Sequence, residues 1–259
     1  MDLLMTPGSA TGRLAGLVQS LDLPETARAQ RLLHVREHLF SRSQDIRQPD
    51  FHRIHTRDLA LLFEAYDREF FDGQCRETLN GSRLDFYLSR RMSRAAGNTR
   101  RTRHRTGETV YEIGIATTML FKGFGPNDRR IAACGIECAT RLDAVQRILE
   151  HELVHLVEML CWETSSCSAM RFQQIAGRLF GHRSHTHNLI TRRERAAEKG
   201  IRIGAPVAFQ FEGRRLAGRV HRITKRATVL VEHPQGEPYS DGLRYLRYYV
   251  PIASLELQS

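Results

Sequence analysis

With 259 residues, 41% of them hydrophobic and 26% charged, the chain can bury one sizeable core and a smaller second one, and it is too apolar to remain disordered. No run approaches the roughly 18–20 apolar residues of a membrane span, and the opening MDLLMTPGSATGRLAG lacks the basic-then-apolar order of a secretory signal, so a cytoplasmic location with no membrane partner is expected. Lysine and arginine total 39 against 29 acids, a formal charge of +10 carried mostly by arginine, which predicts a polyanionic partner, DNA or RNA.

Residues 1–50 read as a peripheral helical segment. A Gly/Ser/Thr-rich start leads into PETARAQRLLHVREHLFSRS, where Leu32, Leu33, Val35, Leu39 and Phe40 line one side of a helix. In HTRDLALLFEAYDREFFDG, Thr56 suits a helix N-cap, Leu59, Leu62, Phe63, Tyr66 and Phe70 recur at helical spacing, and Asp72-Gly73 ends the run. RLDFYLSRR, SRAAGNTRRTR and ETVYEIGIA are short and β-rich, and predict a small antiparallel sheet. Asp143 then suits the start of a long helix through AVQRILEHELVHLVEMLCW, and a polar loop separates it from a second helix, AMRFQQIAGRLFG. From about residue 201, four or five strand-length segments with glycines at 204, 213 and 218 predict a small all-β barrel of SH3-like type. The expected division is 1–50, 51–195 and 201–259.

The stretch HELVH places His151 and His155 four residues apart, one turn along the same helix face, so both rings can address one ion. Zn²⁺ accepts neutral imidazoles and, in catalytic sites, leaves a position for water. Glu152, beside the pair, can take a proton from that water and later deliver it to a leaving amine. The five cysteines, Cys75, Cys134, Cys138, Cys161 and Cys167, lack the paired spacing of a zinc ribbon and suit a reducing compartment.

The succession LLFEAYDREFFDG, RAAGNTRR, EIGIA, EHELVHLVEMLCW, a loop and a second helix, over residues 55–190, resembles the SprT-like (Spartan-type) metalloprotease family, which acts in DNA repair on proteins crosslinked to DNA. The resemblance implies an α+β, zincin-like core and a zinc-dependent endopeptidase acting on protein substrates bound to nucleic acid. Its third zinc ligand is a histidine followed by glycine, four residues before an aromatic that opens the next helix. With Phe172 as that aromatic, Ser168 and Ala169 stand in those places. Three replacements are open: Cys167, which is preferred, then His182, and His187, which resembles a non-ligand histidine of the family. A thiolate would make the zinc a weaker Lewis acid.

Arg90, Arg91, Arg94, Arg100, Arg101, Arg103 and Arg105 cluster on the presumed sheet edge, where Arg100, Arg101 and Arg103 are candidate nucleic-acid contacts and also suit a solvated edge that resists aggregation. In the C-terminal segment, Arg222, Lys225 and Arg226 precede Tyr239, Tyr245, Tyr248 and Tyr249, a mixture that suits phosphates and stacked bases. The rival expectation is a nucleic-acid-binding protein whose zincin core is catalytically degenerate.

Overall fold

The computed structural model describes residues 8–92 and 95–258, and the chain divides into two compact units at Leu189/Ile190. The class is α+β, as expected, and among the described residues no helix is long and apolar enough to cross a membrane.

In the first unit the Gly/Ser/Thr-rich start forms a helix, α1 (Ala10–Ser20), capped by Ser9, whose hydroxyl accepts from the Gly12 amide at 3.0 Å. Its Leu14, Ala15 and Val18 are buried, so packing offsets the low helix propensity of Gly12 and Gly16. In α2 (Glu25–Arg42) the buried stripe is Leu32, Val35 and Leu39, while Leu33 faces solvent. This stripe packs on α3 (Thr56–Phe71). The cap of α3 is His55 and not Thr56, because the Asp58 carboxylate accepts from the His55 amide at 2.6 Å. Helix α3 ends at Asp72 in the left-handed region, and the short α4 (Gln74–Leu79) follows, its first amides bonded to Asp67.

Strands β1 (Arg83–Ser89), β2 (Gly97–Arg103) and β3 (Thr109–Ala116) form a sheet in the order β1-β3-β2. The expectation of an antiparallel sheet needs correction, since β2 runs antiparallel to β3 but β1 runs parallel to it. The cause is burial: β3, VYEIGIA, is the most apolar strand and takes the centre, which sends the arginine-rich β2 to the edge. After α5 (Thr117–Lys122), β4 (Ile131–Ala133) and β5 (Ile136–Cys138) make a small hairpin.

Helix α6 (Arg141–Trp162) begins with a capping box between Thr140 and Asp143 and runs through the unit. Its neighbour α7 (Met170–Phe180) buries Phe172, Ile175, Leu179 and Phe180. Past α7, β6 (His187–Asn188) pairs with β4. Phe180 packs on Tyr66 and Phe70 of α3, with ring centroids 5.9 and 5.0 Å away. Next to these rings the buried Glu150 carboxylate is fully satisfied: it accepts from Tyr66 Oη at 2.7 Å and Arg147 at 2.8 Å, and His182 Nε2 lies 2.9 Å away.

The second unit carries α8 (Arg192–Glu198) and strands β7 (Pro206–Phe211), β8 (Arg214–Ile223), β9 (Ala227–Pro238), β10 (Arg244–Val250) and β11 (Glu256–Leu257). They form one antiparallel sheet in the order β10-β9-β8-β7-β11, with a 3-10 turn, Ile252–Ser254, before β11. Ala196, Ile201, Val207, Phe209, Val220, Val229 and Val250 build its core. Gly218 is needed by close approach: a Cβ there would stand 2.2 Å from the Leu230 carbonyl oxygen.

Candidate metal centre

His151 and His155 lie on α6 with ring centroids 4.9 Å apart, and Phe172 from α7 packs on both rings at 4.8 and 4.6 Å. Ligand atoms of His151, His155 and Cys167 all lie within 4.8 Å of one another, so the cysteine preferred as third ligand is brought to the pair. His182 is not: its Nε2 is engaged by Glu150. His187 returns to the site. Judged by the length of α7 alone it should sit far from the pair, but β6 turns back onto β4 and sets the His187 ring 5.0 Å from His151.

His155 is oriented by a relay of hydrogen bonds. Ser165 Oγ donates to Glu158 Oε2 at 2.6 Å, so its single hydrogen is used, and it accepts from His155 Nδ1 at 2.6 Å. This leaves His155 Nε2 with its lone pair. Glu158 is held in turn by Arg171 Nε at 2.6 Å, and the Arg171 guanidinium stacks over Trp162 at 4.5 Å. Removing the relay by Ser165→Ala should weaken metal affinity by about 10- to 100-fold with secondary structure unchanged, as read by competition with a chromophoric chelator.

Burial, together with the neighbouring His187 and His155, drives the His151 ring down to about 2. Burial lowers His155 as well and takes His187 to about 4. Near neutral pH these rings are therefore uncharged donors. Two neutral imidazoles and a cysteine, which gives up its proton and binds as the thiolate, are a donor set that zinc takes, so the residues fit that ion.

Glu152 is buried and turned toward the edge strand β2. Thr99 Oγ1 donates to its Oε2 at 2.7 Å, and Gly97 leaves room for its Oε1, since a Cβ at Gly97 would stand 2.4 Å from that oxygen. Burial pushes Glu152 up to about 8, with the Thr99 bond working against the rise. A cation at the histidines would lower it again. Thr99→Val should therefore raise the Glu152 pKa further, because the lost bond favours the charged carboxylate. Titration of the Glu152 carboxyl carbon by NMR, in the metal-free variant against the metal-free wild type, reads this directly.

Thr99, Ser165 and Glu158 were not legible as site residues, since nothing in their local sequence distinguishes them. The same holds for Cys134, whose Sγ lies 3.9 Å from His151 Nδ1 and 3.8 Å from His187 Nδ1. A cavity of about 430 Å³ opens beside Phe172, lined also by Gln173, Ala176, His182, Arg183 and His185.

The basic residues fall into two sets. On β2, Arg100 pairs with Glu112 at 3.2 Å, Arg103 with Glu163 at 2.6 Å, and Arg101 reaches the Met159 carbonyl at 3.5 Å. Such exposed pairs are weak because solvent screens them, and a phosphate can compete for them. Arg94 lies outside the described residues. In the second unit, Arg222, Lys225 and Arg226 are exposed and have no acidic partner among the described residues. The sheet register aligns Arg222 with Thr228 and Thr228 with Tyr249, a residue 63% exposed, while Tyr248 turns inward onto Phe209.

No family model, curated protein or solved structure matches the chain.

Proposed function

We propose that the chain is a zinc-dependent endopeptidase of SprT-like type with a zincin-like core, acting on proteins associated with DNA or RNA. The observation that carries this reading is the position of Glu152, between a histidine pair, His151 buried and His155 oriented by Ser165, and a sheet edge. His151, His155 and Cys167 would hold the ion. When bound, it supplies Lewis acidity and makes a water molecule acidic near neutral pH. Glu152 Oε2 is fixed by Thr99, so Oε1 is the oxygen that takes the proton as the peptide carbonyl is attacked. The same oxygen returns that proton to the departing nitrogen as the C–N bond breaks. Among the described residues strand β2 has a strand partner on one side only, so its other edge can pair with an extended peptide, and the main-chain bonds make recognition weakly sequence-selective. The cavity beside Phe172 suits one substrate side chain.

The second unit we read as an SH3-like barrel that recruits nucleic acid. Its meander of strands with a 3-10 turn before the last supports the fold. Residues 190–259 hold 13 lysines and arginines against seven acids, a net +6, which supports the partner. A cysteine in place of a third histidine favours the rival reading, a nucleic-acid-binding protein with a catalytically degenerate core, because thiolate charge weakens the Lewis acid.

One experiment separates the two. Zinc-loaded full-length protein is incubated with a protein bound to single-stranded DNA, with and without chelator. The endopeptidase reading expects cleavage that chelation stops and added zinc restores. A zinc-replete chain that binds the DNA and cleaves nothing would establish the rival. In the same assay, Arg222→Ala/Lys225→Ala/Arg226→Ala should weaken DNA binding and reduce the slope of log K against log salt by about 2, at about 0.7 per lost phosphate contact on a single strand. Cleavage of a free peptide should be unchanged.

A further inference from the structure

We propose a second metal position on the other side of His151, formed by Cys134, His151 and His187. Cys134 Sγ lies 3.9 Å from His151 Nδ1 and 3.8 Å from His187 Nδ1, and one ligand atom of each residue lies within 4.8 Å of the other two. Nitrogen and sulfur ligands of a tetrahedral zinc stand about 3.4–3.6 Å apart, so the set closes on an ion with shifts of a few tenths of an ångström for the sulfur contacts.

The three donors come from separate elements that are tied together. Cys134 follows β4 with a backbone φ of 54°, a conformation non-glycine residues seldom adopt. Its amide donates to the Thr186 carbonyl at 2.9 Å, and its own carbonyl accepts from the Arg183 amide at 2.9 Å. His187 is paired with Ala133 across β4 and β6. Cys134 and His187 are thereby fixed relative to one another, and both face His151 on α6. Cys134 and His151 are buried, whereas in the other group only His151 is. The second position is the more enclosed of the two.

Sharing His151 makes the two positions compete. A neutral imidazole offers one lone-pair nitrogen at a time. With Nδ1 turned to Cys134 and His187, Nε2 is the nitrogen left for His155 and Cys167. An ion on the Nδ1 side therefore deprives the Glu152 side of its histidine, and it is proteolytically silent. The alternative role for Cys134 is plain orientation, as a thiol that donates to the Arg147 carbonyl at 3.4 Å and packs against His151.

The position goes beyond the proteolytic reading and stands whether or not the chain cleaves peptides. Its test is Co²⁺ titration of the full chain carrying His155→Ala and Cys167→Ser, which disables the other group. About one cobalt per chain is expected, with sulfur-to-cobalt charge-transfer absorption in the near ultraviolet. Adding Cys134→Ser should abolish that absorption, and adding His187→Gln should weaken cobalt binding at least 10-fold. Each variant is first shown to keep the wild-type circular dichroism, and the two additions report independently should one of them not fold. The proposal is overturned by a folded His155→Ala/Cys167→Ser chain that binds no cobalt, or by absorption that survives Cys134→Ser. Failure of the endopeptidase reading has a different signature: wild type that binds metal and cleaves nothing.

Discussion

Glu152→Gln is expected to reduce cleavage by about 100- to 10,000-fold while zinc content and nucleic-acid affinity stay at wild-type values. The substitution keeps the side chain's size and can keep a bond with Thr99 Oγ1, 2.7 Å from Oε2 in the native chain. It removes only the capacity to accept and return a proton. The loss should therefore fall on kcat and leave KM nearly untouched, the pattern of an interaction made in the transition state. Persistent cleavage by a pure variant would place the activity elsewhere in the chain. Parallel zinc analysis separates lost chemistry from a lost ion.

The second large effect concerns the metal. His151→Ala/His155→Ala should take bound zinc from about one per chain to none, and cleavage with it. His151 belongs to both groups of ligands, so its loss removes the first position and the proposed second one together, whereas His155→Ala alone spares the second. Stability gives an independent readout. An ion held at a free concentration 1,000 times its Kd stabilises the folded state by about 4 kcal/mol. For a unit near 190 residues that corresponds to roughly 8–16 °C in Tm. Wild type should lose that increment on chelation, and the double variant should melt at one temperature with or without chelator. Zinc content equal to wild type in the double variant would rule out the assignment.

The parts of this molecule legible from sequence are those set by local periodicity. The apolar stripe of α3, the long run of α6 with His151 and His155 one turn apart, and the amphipathic α7 follow from side chains spaced three and four apart. The strand texture after residue 201 was legible for the same reason, with Val207, Phe209, Val220 and Val229 alternating inward. Helix α1 was not, because Gly12 and Gly16 argue against a helix until burial of Leu14 and Val18 outweighs them. The sheet was expected to be antiparallel from three short β-rich segments separated by polar residues. Which strand occupies the centre is a competition for burial, and β3 won it over β2.

The site divides along the same line. HELVH carries its own geometry, since an α-helix of any surroundings puts His151 and His155 on one face with Glu152 beside them. The third donor has no such local rule. Cys167 enters through the turn between α6 and α7, and His187 and Cys134 enter through the pairing of β6 with β4, contacts that close loops of many residues. Thr99 reaches Glu152 only because β2 was driven to the sheet edge alongside α6. Short-range spacing thus settled the histidine pair and its neighbouring carboxylate, and tertiary packing settled which other side chains reach them, because those contacts depend on how α6, α7, β2 and β4 close on one another.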